Sequence, residues 1–194
     1  MSRKPLAGRR IVVPESRELD LFAAMLERQG AEVVRCPLVA IVDLEPSQTG
    51  ELDRWISRLA AGEFETLIFY TGEGVIRTMA RAEALGLGQA AIAALSAAQK
   101  LVRGPKPVAA LRRLGLSADV QADEPTTEGL AALVRTLSLQ RSQVGVLLYP
   151  DHTAGPLLDS LAKGGAVTDA VVPYRYAWDE EDERVAAVIR EMAT

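Results

Sequence analysis

Residues 65–80, ETLIFYTGEGVIRTMA, and residues 100–115, KLVRGPKPVAALRRLG, follow one pattern, and residues 122–134, ADEPTTEGLAALV, repeat its second half. In each, a short apolar run or its end meets a turn rich in glycine, proline or threonine, and apolar residues then recur at helical spacing. The pattern reads as strand, loop and helix. Strands alternating with helices of this length predict a parallel sheet covered by helices on both faces. In such a unit the unpaired N–H groups of the first helical turn, and the positive end of the helix dipole, face the carboxyl edge of the sheet and favour an anionic ligand there.

Outward from this stretch the alternation continues. RIVVPE (10–15) reads as a short buried strand and ELDLFAAMLERQG (18–30) as an amphipathic helix closed by Gly30. AEVVRCPLVAIVD (31–43) is a second strand that Pro37 makes an edge or a bend, and the half beyond Pro37 is free to leave the sheet. Residues 46–50 form a hinge before a helix over 51–61, and the alanine-rich segment 87–99 is helical in propensity. ADVQA (118–122) is a strand. The last complete unit is VGVLLYP (144–150), a helix over 155–165 and the strand AVTDAVVPYRYAW (166–178). Residues 179–183 read as an acidic bridge, and 184–194 begin a helix with no strand after it, an interrupted unit. No fixed period suggests a solenoid.

The composition narrows the function classes. With 194 residues, 48% hydrophobic and 25% charged, the chain suits one large globular domain or two small ones. A formal charge of −4 and the lack of a basic stripe argue against a nucleic-acid partner. Cys36 stands alone, so no internal disulfide forms, and its apolar neighbours suggest a small core side chain. No apolar run approaches the ~20 residues that span a bilayer, and MSRKPLAGRR lacks the apolar core of a signal peptide. A cytoplasmic location, away from membranes, is expected.

Taken in order, RIVVPE, GAEVVRCPLVAI, LIFYTGEGV, LVRGPKPVAALRRLGL, PTTEGLAAL, VGVLLYPD and VVPYRYAW resemble the uroporphyrinogen-III synthase family, over residues 10–178. Each fragment is weak alone and the ordered set is specific. The resemblance implies two doubly wound, flavodoxin-like parallel-sheet α/β domains joined by a two-stranded β ladder, the first domain discontinuous. Mapped here, residues 1–43 and 179–194 would form the first domain and 44–178 the second, with the ladder near 39–43 and 174–179. The returning third of the first domain is nearly all missing, so the chain resembles a member lacking its C-terminal portion. That incompleteness predicts either self-association through the first domain or a loosely packed N-terminal unit.

The implied activity is a cofactor-free lyase reaction of tetrapyrrole biosynthesis, with hydroxymethylbilane as substrate, no metal and inversion of the last pyrrole ring. The alternative is a non-catalytic tetrapyrrole-binding or regulatory homologue that kept the fold. An unrelated receiver-like or periplasmic-binding-like fold lacks its phosphoacceptor pattern or signal peptide here. The loop Thr71, Gly72, Glu73, Gly74 is a candidate substrate-binding segment and equally an ordinary βα turn with Thr71 as N-cap. Gly72 stands where similar proteins often carry serine, and it would let backbone N–H groups approach a carboxylate closely. Gly104, Pro105, Lys106 and Pro107 form the second candidate segment, with Pro107 in place of a threonine. Lys100, Arg103 and Lys106 read as a substrate-carboxylate patch or as a solvated loop. Thr126 or Thr127 caps the next helix, and Thr127, Glu128 and Gly129 are the third candidate contact. His152, the only histidine, suits a structural or exposed role. Tyr174 aligns with a tyrosine the family turns toward its cleft, which makes it the candidate proton donor to the departing hydroxyl, or else a strand tyrosine sharing a face with Tyr176 and Trp178.

Overall fold

The computed structural model describes residues 4–15, 18–150, 154–177 and 179–192, with the side chains of 179–182 left aside. His152 and Trp178, both weighed above, lie outside the described residues. The chain divides into two compact units, residues 1–42 with 176–194, and residues 43–175.

In the smaller unit, β1 (Arg10–Val13) and β2 (Glu32–Arg35) pair in parallel, Arg10 opposite Glu32 and Val13 opposite Arg35, with α1 (Leu19–Arg28) between them in sequence. The turn into β2 uses Gly30 at φ +97°, a conformation that disfavours any side chain. β3 (Ala40–Val42) leaves that sheet after Pro37, as the proline requires, and pairs with β9 (Arg175–Ala177) in a separate two-stranded ladder. α8 (Asp179–Met192) completes the unit. The acidic bridge expected over 179–183 is therefore helical.

The larger unit is built on a five-stranded parallel sheet in the order β6-β5-β4-β7-β8, from β4 (Thr66–Phe69), β5 (Gln99–Val102), β6 (Val120–Gln121), β7 (Gln143–Leu147) and β8 (Val167–Val171). Strand alternation sorts the core into two layers. Leu67, Phe69, Val102 and Leu147 pack with α2 (Gly50–Ala60), α3 (Gly72–Ala84), α4 (Gly88–Ala97) and α5 (Pro105–Arg113). Ile68, Tyr70, Leu101, Val144 and Val146 pack with α6 (Thr127–Arg135) and α7 (Gly155–Lys163). Between Val144 and Val146, Gly145 is demanded by packing: a Cβ there would lie 2.8 Å from the Leu67 side chain and 2.9 Å from Trp55. The expected strand 166–178 breaks at Pro173 into β8 and β9, because proline cannot donate to a sheet ladder.

The connections leave β4 toward β5 and β6 on one side, and after α6 the chain returns to β7 and β8 on the other. Adjacent strands whose connections run opposite ways create a crevice at their carboxyl ends, here between β4 and β7.

Candidate functional site

At that crevice the loop after β4 meets Tyr174, while the other two candidate loops follow β5 and β6. Beyond β4, Thr71 is the N-cap of α3, and its Oγ1 accepts the Gly74 N–H at 2.9 Å. α3 starts at Gly72, directly after this cap. A Cβ on Gly72 would lie 2.6 Å from the Lys106 carbonyl oxygen, so the heads of α3 and α5 touch and glycine alone fits between them. The side of Gly72 expected to welcome a carboxylate is thus filled by protein. Glu73 is committed as well, accepting from Arg77 Nε at 2.6 Å, and Arg77 also pairs with Asp43.

The second loop departs further from expectation. Gly104 is the N-cap of α5 without a side-chain cap, and Pro105 and Pro107 occupy the first and third helical positions. Proline has no N–H, so of the first three positions only Lys106 presents a backbone donor. Lys106 is exposed and Pro107 buried. Lys100 does not join a cationic patch: it is 5% exposed, its Nζ donates to the Ala98 carbonyl at 2.7 Å and pairs with Asp119 at 2.9 Å. As a strand residue it points where the pleat sends it, a fact its charge alone does not reveal. Burial pushes the Asp119 carboxyl up, but the bonds from the Lys100 ammonium and backbone N–H outweigh this and hold it below the usual carboxylate range.

In the third loop Thr126, not Thr127, is the N-cap, accepting the Gly129 N–H at 2.9 Å. Thr127 is buried against the Tyr70 hydroxyl. Glu128 is exposed in the first turn of α6. Gly129 answers to packing, since a Cβ would meet the Glu124 carbonyl at 2.1 Å.

Tyr174, between β8 and β9, is 1% exposed and its hydroxyl lies 3.3 Å from Thr71 Oγ1. Residues more than a hundred positions apart thus place two hydroxyls together at the head of α3. Tyr174 also lines a cavity of about 420 Å³ with Gln48, Glu51, Leu52, Pro150 and Arg175. Sequence reasoning did not single out Tyr70 and Tyr149, whose rings flank the Arg103 guanidinium at 5.5 and 5.0 Å. The available signal was an aromatic at or just past the carboxyl end of two strands with an arginine just past a third. Burial raises the Tyr70 phenol above its usual value against a smaller opposing effect of Thr127 and Arg103.

The family model for uroporphyrinogen-III synthase HemD matches residues 20–193. The chain belongs to the uroporphyrinogen-III synthase family. Among solved structures it is similar to a mutant uroporphyrinogen III synthase of the extremely thermophilic bacterium Thermus thermophilus, with a TM-score of 0.69 and 26% identity, covering 87% of this chain and 63% of that one. A further structure of the Thermus thermophilus synthase matches with a TM-score of 0.57 and 26% identity over 95% of this chain and 70% of that one. The uncharacterized protein YjjA of Bacillus subtilis (strain 168) is 30% identical over 189 residues, 97% of this chain and 68% of the relative. The chain therefore spans about two thirds of the length of these relatives. Among the described residues no helix is long and apolar enough to cross a membrane, and no group of three or more His, Cys, Asp or Glu side chains could hold a metal ion.

Proposed function

We propose that the chain acts on hydroxymethylbilane as a uroporphyrinogen-III synthase-like lyase, closing the linear tetrapyrrole with inversion of its last ring. The observation that carries this reading is the pairing of Tyr174 with Thr71 at the crevice between β4 and β7. Thr71 Oγ1 already accepts from Gly74, so its own proton can be given to the Tyr174 oxygen. In this reading Tyr174 gives a proton to the hydroxyl leaving the terminal hydroxymethyl group, which departs as water. The resulting azafulvene is attacked by the last pyrrole through its substituted carbon to give a spiro intermediate, and fragmentation and reclosure yield the inverted macrocycle. The substrate also closes unaided to the other isomer, so the protein's main task is to hold the right conformer, a matter of orientation more than of strong acid or base. Thr71, Gly72, Glu73 and Gly74 with Gly104, Pro105, Lys106, Pro107, Thr127, Glu128 and Gly129 form the proposed rim around the bilane, in a cytoplasmic setting.

The two units answer in this reading to a partial first domain and a second domain. Leu21, Phe22 and Met25 of α1 are 57%, 45% and 49% exposed, and self-association of the smaller unit through them belongs to the same proposal.

The prolines of α5 favour a second reading, a tetrapyrrole-binding homologue without turnover, because they remove a hydroxyl and two backbone donors from the rim. One experiment separates the two. Supplied with hydroxymethylbilane, the wild type should yield the type III isomer above the spontaneous background, and Tyr174→Phe should lower the ratio of type III to spontaneous product by on the order of tenfold or more. Binding of uroporphyrinogen III without any type III excess would favour the non-catalytic reading, and an unchanged ratio would leave Tyr174 a packing residue.

A further inference from the structure

Five arginines among the described residues are half-buried: Arg58, Arg77, Arg81, Arg103 and Arg175. Four of them meet carboxylates, Arg58 with Glu63 and Asp169, Arg77 with Glu73 and Asp43, Arg81 with Asp53, and Arg175 with Glu45. Arg103 has no carboxylate partner among the described residues. Its guanidinium carbon sits 5.5 Å from the ring centre of Tyr70 and 5.0 Å from that of Tyr149, whose own centres are 5.7 Å apart.

The backbone explains how these three side chains meet. Tyr70 directly follows β4 and Arg103 directly follows β5, and the Arg103 N–H donates to the Phe69 carbonyl at 3.0 Å, so the two are cross-strand neighbours. Tyr149 comes two residues past β7 on the other side of β4. The cluster therefore spans the carboxyl ends of the three central strands, on the edge where an open parallel sheet receives ligands.

We propose that Arg103, resting against the paired rings of Tyr70 and Tyr149, is the anchor for one carboxylate of the ligand, and so selects carboxylated tetrapyrroles over ones whose side chains are neutral. The proposal rests on the functional reading above and names a specificity residue for that same crevice. Aromatic faces attract the cation but leave its in-plane N–H fork unspent. That fork matches a carboxylate bidentately, and packing of the guanidinium against the two rings beforehand reduces the rotamer freedom lost when the ligand docks. Lysine at this position would keep the charge and lose both the fork and most of the stacking.

The test is a fluorescence titration of the full chain with uroporphyrin and with the same porphyrin fully esterified, at two salt concentrations, using wild type, Arg103→Gln and Arg103→Lys. Thermal midpoints with and without citrate, a carboxylate unrelated to tetrapyrroles, give a parallel readout. Arg103→Gln should weaken uroporphyrin about tenfold or more and flatten its salt dependence, with Arg103→Lys in between, while the esterified porphyrin is bound alike by all three. Citrate should raise the midpoint of the wild type and leave that of Arg103→Gln unmoved. Equal uroporphyrin affinity and salt slope in wild type and Arg103→Gln overturns the role of Arg103 while leaving the functional reading standing. Failure of the wild type to bind uroporphyrin, with the citrate effect intact and lost in Arg103→Gln, sinks the functional reading and keeps the anchor. Absence of both effects removes both.

Discussion

The β1-α1-β2 unit and the β4-α3 region that leads to β5 are written in nearly the same sequence pattern, yet their surroundings differ. β4 is buried at every position, whereas β1 exposes Arg10 and β2 exposes Glu32 and Arg35, and among the described residues the two strands have only each other as sheet neighbours. α3 buries Val75, Thr78, Met79 and Ala82 against a full helical layer, while α1 buries Ala23 and shows Leu21, Phe22 and Met25 to solvent. A βα pattern thus specifies the local elements but not what covers them. Coverage, and with it most of the stability, depends on how many strands lie alongside.

The largest effect expected from this contrast is on core truncation. Leu67→Ala, at a fully buried position of β4, should cost about 2–5 kcal/mol in urea unfolding, and Val12→Ala in β1 should cost about 1 kcal/mol or less because Val12 is only half-buried. Amide exchange should run the same way, with residues 66–70 protected well beyond residues 11–13. Comparable costs and protection would break the comparison by giving the smaller unit an equivalent core.

A middle-sized effect concerns charge. Asp119→Asn should destabilise the larger unit by about 1–3 kcal/mol at neutral pH, since it strands the buried Lys100 cation, and Lys100→Met should cost distinctly less. Because the Asp119 carboxyl is held below its ordinary range in the folded chain, its contribution is complete above the ordinary carboxylate pKa and is lost as pH falls through the lowered value. Urea midpoints from pH 7 down to pH 3 should therefore converge for wild type and Asp119→Asn. Parallel curves would mean that Asp119 contributes no proton linkage.

The smallest effect on stability belongs to α1. The double substitution Leu21→Gln with Phe22→Gln should change the unfolding free energy by no more than about 0.5 kcal/mol. It should, however, abolish any concentration-dependent self-association of the wild type in sedimentation. A wild type that stays monomeric at all concentrations would end the self-association proposal.

Much of this was legible in the chain because the signals were local. Thr71 and Thr126 announce their helices through cap chemistry that needs only three residues, and Pro37 announces the departure of β3. The misread features depend on partners remote in sequence. Lys100 reads as a loop charge until Asp119 is placed beside it, and residues 179–183 read as a bridge because a run of like charges carries no apolar periodicity to announce a helix. The Tyr70, Arg103 and Tyr149 cluster escaped for the same reason, since its three members come from three strands ordered by topology and not by spacing.

The contact between the Gly72 α-carbon and the Lys106 carbonyl has a mechanical consequence. Two loops that touch with no side chain between them leave neither any room to move toward the other. A bulkier residue at position 72 would therefore act as a wedge, pushing the head of α3 and the head of α5 apart together.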